Sequence, residues 1–163
     1  MFGLFKKKEK EQKKVYAPVA GKVVSLQEVP DDAFANEMFG KGFAVIPENG
    51  DIYAPISGKI IAIQEPSLHA YGIVGEDGTE IMLHVGIDTV EMNGEGFETY
   101  VKTGDQIKAG DKLGKFDLDL VKEKGYETHV MVIFCNSETL ELGEKNVSEV
   151  KDLGEPVLSY QLV

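Results

Sequence analysis

Two histidines in one short region of the sequence could carry chemistry together, His69 in "PSLHA" and His84 in "EIMLHVGID". A neutral imidazole, whose ordinary pKa is about 6.5, is a competent nucleophile toward phosphorus. A second imidazole beside it can donate a hydrogen bond to phosphoryl oxygens as their charge grows in the transition state. Such a pair needs fixed tautomers, which the Ser67 hydroxyl could set for His69 and a backbone carbonyl for His84. The two residues therefore offer phosphoryl transfer without a cofactor.

Metal binding is the rival chemistry for the same side chains. His69 and His84 with Asp88 make an incomplete zinc set, and no cysteine pair or H-E-x-x-H motif completes it. We expect no resident metal, although the two histidines could bind zinc if a partner completed the site. On a straight strand Asp88 would lie about 13 Å from His84, so an Asp–His dyad is not expected unless the chain bends at Gly86. His129 is interpreted as an ordinary strand residue.

The residues around His84 alternate as they do in a half-buried strand. One face is apolar and predicts the core, with Ile81, Leu83, Val85 and Ile87. Asp77-Gly78 predicts a two-residue hairpin turn, which places Tyr71 opposite His84 and His69 opposite Gly86. In that register both imidazoles lie on the face away from the core, and Gly86 leaves space between them.

Composition predicts one compact all-β domain with an acidic body. The chain has 163 residues, of which 42% are hydrophobic, with 18 glycines, 6 prolines and a net charge of −11. This charge argues against nucleic acid as a partner, and the absence of arginine excludes a guanidinium clamp on phosphate. Residues 1–14 hold six lysines and two glutamates, or +4, so residues 15–163 carry −15. We expect residues 1–14 to be a flexible basic tail and residues 15–163 to be the folded domain.

An internal repeat indicates the architecture. "APVAGKVVSL" at 17–26 returns as "APISGKIIAI" at 54–63, which suggests two similar corners of one antiparallel β sandwich or barrel. Strands are expected near 43–46, 69–74, 80–86, 112–117, 130–135 and 156–162. Only "DLDLVKEKG" at 117–125 predicts a brief helix, so the fold class is all-β with almost no helix.

The remaining features predict a cytoplasmic protein. The single cysteine, Cys135, excludes an internal disulfide, and its parity with neighbouring apolar residues predicts a buried thiol. No apolar run reaches the ~18 residues of a membrane span, and "MFGLF" is shorter than a signal-peptide core. A weak contact of residues 1–14 with an anionic membrane surface stays open.

The motifs in order resemble the glucose-type IIA components of the bacterial phosphoenolpyruvate-dependent sugar phosphotransferase system. "HVGIDTVEMNGEGF" resembles the signature around the family's phosphorylated histidine, and "PSLHA" the segment with its second active-site histidine. "GKGFAVIP", "APISGKI", "GDQIKAGDKL" and "FDLDLV" match in order and spacing. The resemblance covers residues 15–163 and implies an antiparallel β sandwich with almost no helix.

The resemblance also implies roles and partners. His84 would accept a phosphoryl group from phosphorylated HPr as a phosphohistidine, and His69 would support its transfer to a cysteine on the IIB domain of a sugar permease. The protein would thus be a phosphotransferase component, with the IIB/IIC permease as its partner and regulatory partners left open. Ser67 stands where the family usually has threonine, and Asp88 falls near the partner surface. An apolar docking patch would include Phe34, Met38, Phe39 and Val45.

Departures from the family pattern leave the choice of partner, and hence of sugar, open. Lys41 stands where an acidic residue is common, Ala33 replaces a larger apolar residue, and "HVMVIFCN" lacks a usual proline.

Two other classes of protein remain as alternatives from the residues alone, a lipoyl- or biotinyl-like carrier and a zinc metallopeptidase-like β domain. The first needs a lysine on an exposed hairpin in an M-K-M or D-K-A setting, and the second needs an H-x-H element, neither of which is present.

Overall fold

The computed structural model of the protein describes residues 12–146, 149–150 and 153–163. Within these ranges the chain is built mostly of strands, with two short α-helices, α1 Asp32–Ala35 and α2 Leu118–Glu123. Short 3₁₀ helices cover Leu26–Glu28, Thr89–Met92 and Ser137–Thr139. The strands are β1 Lys13–Tyr16, β2 Gly21–Ser25, β3 Lys41–Pro47, β4 Asp51–Tyr53, β5 Gly58–Ile63, β6 Ala70–Val74, β7 Glu80–Val85, β8 Phe97–Thr99, β9 Gln106–Ile107, β10 Lys112–Phe116, β11 Val130–Phe134, β12 Leu140–Leu142, β13 Glu149–Val150 and β14 Pro156–Leu162.

The described strands form one large sheet and two small ones, and the neighbouring strands pair antiparallel. The large sheet has the order β13-β2-β3-β11-β7-β6-β5-β9, and the small sheets have the orders β1-β14-β12 and β4-β10-β8. The main core joins one face of the large sheet to both small sheets. The prediction of an antiparallel all-β sandwich is therefore confirmed.

The repeat in the sequence corresponds to symmetry in the large sheet. Each copy starts a strand with a glycine, Gly21 in β2 and Gly58 in β5. Both strands lie one position in from a two-residue edge strand, so the halves are arranged alike about the central pair β11 and β7. At both glycines a Cβ atom would overlap a carbonyl of the neighbouring strand, that of Ile46 or of Val74. Each repeat glycine thus permits a close backbone approach at a corner of the fold.

A smaller apolar cluster lies on the other face of the large sheet. The segment from Leu26 to Phe34, which includes most of α1, covers part of this face. Asp31 caps α1, because its carboxylate accepts hydrogen bonds from the backbone of Ala33 and Phe34 at 3.0 and 3.2 Å. The buried members of the cluster are Val24, Leu26, Val29, Phe34, Ala44, Ile87, Met131 and Ile133. Sequence reasoning predicted α2, which Asp117 caps, but missed α1.

The turn between β6 and β7 is one residue longer than predicted. The Gly75 N–H donates to the Thr79 carbonyl over 2.9 Å, and the Gly78 N–H donates to the Gly75 carbonyl over 3.0 Å. The loop therefore holds the three residues 76–78. Gly78 has φ 87°, the left-handed conformation that ends such three-residue loops. The prediction of a two-residue turn at Asp77-Gly78 is wrong, although the turn lies at the predicted place.

This extra loop residue changes the faces of β6. Ala70 pairs with His84, whereas Tyr71 was expected there. Tyr71 and Ile73 are buried in the main core, since a one-residue slip moves every side chain of a strand to the opposite face. The predicted core face of β7 is right up to Val85. Ile87, expected on that face, belongs to the smaller cluster instead, because the chain turns at Gly86.

The start of the first strand and the exposure of Cys135 both differ from the prediction. Lys13 and Lys14 lie in β1 and pair with Tyr160 and Ser159, so the predicted limit between tail and domain falls inside a strand. Residues 1–11, which carry the rest of the predicted basic tail, lie outside the described residues. Cys135 is exposed rather than buried, because β11 ends one residue before it. In the described ranges no helix has the length and apolar character needed to cross a membrane.

Candidate paired-histidine site

His84 lies at the centre of the large sheet, on the face opposite the main core. One row of paired residues crosses five strands at this level, Val24, Ala44, Met131, His84 and Ala70. Its other apolar members are buried in the smaller cluster around Phe34, apart from Ala70 at the far end. The sheet therefore gives His84 a rigid base, with its side chain directed away from the main core.

The tautomer of His84 is set by a bend in its own strand. The His84 Nδ1–H donates to the Gly86 carbonyl over 2.8 Å, since a carbonyl can only accept. Gly86 has φ 76°, and this turn brings its carbonyl back to the ring two residues earlier. A Cβ atom at Gly86 would stand well inside 3.0 Å of the Thr89 side chain. The neutral ring therefore keeps the lone pair on Nε2, the nitrogen that can attack an electrophile.

His69 reaches His84 from a loop rather than from a strand. Its ring centroid lies 4.7 Å from that of His84, with the rings at 86° to one another. By the alternation of β6, His69 would point into the core with Tyr71, but β6 begins only at Ala70. Leu68 has φ 56°, a left-handed conformation that redirects the chain just before the histidine. The His69 carbonyl accepts from the Val85 N–H over 2.7 Å, so Val85 and not Gly86 is its backbone partner.

Ser67 holds His69 in the predicted way. The Ser67 Oγ lies 2.6 Å from the His69 Nδ1, and both side chains are buried. When the serine hydroxyl donates to Nδ1, the proton of the neutral ring sits on Nε2. That arrangement gives a donor on His69 beside an acceptor on His84, which is the complementary pair that an anionic group between them requires.

Burial keeps both imidazoles neutral at physiological pH. Desolvation, and then the neighbouring His69, lower the pKa of His84 from 6.5 to about 4. The hydrogen bond to Gly86 and the charge of Asp31 act in the opposite direction but are weaker. Desolvation also lowers the pKa of His69. Neutral His84 is the nucleophilic form, so the site is ready to react without first losing a proton.

Of the four predicted docking residues, Phe34 contacts His84 directly, Phe39 contacts Phe34, and Met38 precedes Phe39 in the chain. The Phe34 ring packs on the His84 ring at 5.0 Å and on the Phe39 ring at 5.3 Å between centroids. Met38 and Phe39 are 72% and 50% exposed, so they form an apolar surface next to the site. Val45 is 0% exposed and lies in the main core, so its assignment to a docking patch is wrong. Its strand neighbours Ala44 and Ile46 lie on the other face because strand side chains alternate.

Asp88 does not pair with the histidines. It follows the bend at Gly86, has φ 62° and is exposed. The chain does bend at Gly86, the condition under which an Asp–His dyad stayed open, but no hydrogen bond joins the Asp88 and His84 side chains, and the His84 Nδ1 contacts the Gly86 carbonyl instead. Within the described ranges no group of three or more His, Cys, Asp and Glu side chains is arranged to hold a metal ion.

Two residues near the site escaped sequence reasoning. Asp31 sits at the cap of α1, and its charge partly opposes the larger lowering of the His84 pKa by burial. Its signal was the "VPDDAF" run, in which an aspartate precedes a helical turn. Thr89 is fully buried and donates its hydroxyl hydrogen bond to the Val85 carbonyl at the bend. No periodicity in the sequence could indicate this contact, because the bend itself was not predicted.

His129 contributes to the site through its backbone. Its carbonyl accepts from the Gly86 N–H over 2.8 Å, which holds the bend against β11. Its Nδ1 is buried and has no hydrogen-bond partner among the described residues. Burial lowers the pKa of this imidazole, so it too is neutral near pH 7.

Together the fold and the site define a class, an antiparallel β sandwich that presents two neutral histidines on the outer face of its large sheet. The family model for EIIA 1 of the phosphoenolpyruvate-dependent sugar phosphotransferase system matches residues 13–140. The chain belongs to this family of phosphotransferase components, as the motifs predicted.

Several relatives support this assignment. A protein named as a glucose-specific EIIA component from Halalkalibacterium halodurans is 41% identical over 97% of this chain and 94% of its own length. A glucosamine-specific EIICBA component from Bacillus subtilis is 43% identical over 77% of this chain but only 20% of its own length. The solved structure of the glucose permease IIA from Mycoplasma capricolum superposes with a TM-score of 0.86, at 40% identity, covering 91% of this chain and 96% of that one.

Proposed function

We propose that the protein is a phosphoryl carrier in sugar uptake, with His84 as the carrier residue and His69 as its helper. The His84 Nε2 attacks phosphorus of phosphorylated HPr, and the bond to the donor breaks as the new nitrogen–phosphorus bond forms. The observation that carries this proposal is the geometry of the pair, with the His84 Nδ1 at 2.8 Å from the Gly86 carbonyl and the His69 ring edge-on to the His84 ring at 4.7 Å between centroids.

In the second step a cysteine thiolate on the IIB domain of a sugar permease attacks the same phosphorus. The His84–phosphorus bond breaks, and His84 returns to its neutral state. His69 supplies an N–H donor toward the phosphoryl oxygens in both directions, which stabilises the charge that spreads over them. The EIICBA relatives support a permease as partner, since their names join the A component to the B and C components in one chain.

The acidic charge and the apolar surface favour transient docking in this proposal. The net charge of −11 attracts a basic partner surface over a distance, and exposed Met38 and Phe39 provide apolar contact beside the site. Phe34 links this surface to the His84 ring. A partner that covers the patch therefore also excludes water from the histidines, which strengthens the hydrogen bonds inside.

The proposal is tested by incubation with phosphorylated HPr, followed by intact mass and acid treatment. The protein should gain about 80 Da in an acid-labile form, as expected for phosphohistidine. Replacing His84 with alanine should abolish the gain, whereas His69→Gln should still accept and should be impaired in donation to IIB. Equal acceptance by the His84→Ala protein would refute the assignment of the carrier residue.

A further inference from the structure

The bend after His84 is held at three points. The Gly86 N–H donates to the His129 carbonyl over 2.8 Å, and the Ile87 N–H donates to the Glu127 carbonyl over 3.0 Å. These two bonds tie the bend to the residues just before β11. The third point is the carbonyl of Val85, which accepts a hydrogen bond from the Thr89 hydroxyl.

Thr89 uses both groups of its side chain at this bend. It is fully buried at the first position of the 3₁₀ helix Thr89–Met92. Its hydroxyl holds the Val85 carbonyl, while its methyl group occupies the space in which a side chain at Gly86 would stand. Thr89 thus holds the carbonyl end of the Val85–Gly86 peptide, whose N–H end is held by the His129 carbonyl, and its methyl group restricts the conformation of Gly86.

We propose that Thr89 is a positioning residue that sets the tautomer of His84 through this peptide. Thr89 does not touch the reacting nitrogen. Its hydroxyl fixes the Val85–Gly86 peptide, which aims the next carbonyl, that of Gly86, at the His84 Nδ1–H. When that carbonyl swings away, the ring is free to carry its proton on Nε2, and this tautomer has no lone pair at the attacking position. The inference rests on the proposed function for its kinetic consequence, but its structural consequence is independent of phosphoryl transfer.

The matched variants separate the hydroxyl from the shape of the side chain. Thr89→Val keeps the branched shape and removes the hydroxyl, whereas Thr89→Ser keeps the hydroxyl and removes the methyl. Thr79→Val is the control, because Thr79 is equally buried but lies at the distal end of the same hairpin. Loss of one neutral hydrogen bond at the bend should lower phosphoryl acceptance about fivefold in Thr89→Val.

The decisive measurement is the protonation of the His84 ring nitrogens, observed by NMR of nitrogen-15-labelled, unphosphorylated protein near pH 7.5. The wild type, Thr89→Ser and Thr79→Val should show the proton on Nδ1, and Thr89→Val should show a mixture of both tautomers. Acceptance from phosphorylated HPr should fall only in Thr89→Val.

The tautomer measurement also defines the results that would overturn the inference. A Thr89→Val protein that keeps the Nδ1 proton overturns it, even when acceptance falls, because the loss would then have another cause. If Thr89→Val does not fold, Thr89→Ala, which lacks the hydroxyl and the methyl, is compared with Thr89→Ser, and a Thr89→Ala protein that keeps the Nδ1 proton on His84 overturns the role of the hydroxyl. Failure of the wild type to accept phosphoryl would refute the proposed function but leave the tautomer comparison valid.

Discussion

Replacing Gly86 with alanine should cost more stability than the same change at any open glycine turn of this hairpin. Two terms add at Gly86. An alanine at φ 76° pays about 1–2 kcal/mol for the left-handed conformation. Its methyl would also stand well inside 3.0 Å of the Thr89 side chain, and such overpacking costs about 1–3 kcal/mol. We expect Gly86→Ala to lower the free energy of unfolding by about 3 kcal/mol.

Gly78→Ala is the matched control on the same hairpin. Gly78 has φ 87°, but a Cβ atom there would meet nothing within 4 Å. Only the conformational term applies, so the expected loss is about 1–2 kcal/mol. Urea unfolding of both variants and the wild type, with linear extrapolation, measures the difference.

The two variants should also differ in function. Gly86→Ala moves the carbonyl that accepts from the His84 Nδ1–H, so the folded variant should accept phosphoryl from HPr at least tenfold more slowly. Gly78→Ala lies at the far end of the hairpin and should accept at the wild-type rate. Equal stability losses in the two variants, or full acceptance by Gly86→Ala, would show that the bend does not position His84.

Three further outcomes follow from burial and charge. Because the pKa of His84 is lowered from 6.5 to about 4, the unfolded state binds the proton first as pH falls, so the free energy of unfolding should decrease from about pH 6.5 toward pH 4, by at most about 3 kcal/mol. Urea unfolding at several pH values should show a weaker pH dependence in His84→Gln than in the wild type. Equal pH dependence in the two proteins would contradict the lowered pKa of His84. Phe39→Ser should raise the KM for phosphorylated HPr with little change in stability. Val45→Ala should lower the unfolding free energy by about 1–3 kcal/mol and leave the KM unchanged. The reverse pattern would show that Val45, and not Phe39, contacts the partner. Deletion of residues 1–11 should leave phosphoryl acceptance and stability unchanged. Deletion of residues 1–14 removes half of β1 and should lower the melting temperature in thermal unfolding. Equal melting temperatures of the two deletion variants would contradict the start of β1 at Lys13.

The alternation of β7 was predictable because one face of the strand is buried and period-two patterning then fixes every side chain. Val85 and Leu83 point to the core, and His84 therefore points away from it. The register of β6 was not predictable, because an Asp-Gly pair is compatible with loops of two or three residues. The three-residue loop is held by the hydrogen bond between Gly75 and Thr79 and by the Asp77 side chain, which accepts from the Thr79 N–H over 3.0 Å.

The two histidines lie together for a reason different from the predicted one. With the observed register, alternation alone would turn His69 into the core. His69 precedes the first residue of β6 and follows a turn at Leu68, so the alternation of the strand does not fix its side chain, and the Ser67 hydroxyl contacts the ring beside His84. The two rings therefore meet as predicted, although the register from which this was predicted is wrong by one residue. Local backbone conformations of this kind leave no periodic trace in a sequence.

The composition explains why a pair of imidazoles suits the proposed carrier. A carrier must hold the phosphoryl group without stabilising it so strongly that transfer to the next partner becomes slow. A bidentate guanidinium clamp binds phosphate tightly, and the chain contains no arginine. His69 offers a single neutral N–H donor instead, and the pKa of His84 lies low enough that the leaving ring needs no proton near pH 7. The burial that lowers both histidine pKa values therefore favours reversible transfer, which a charged clamp at the same position would slow.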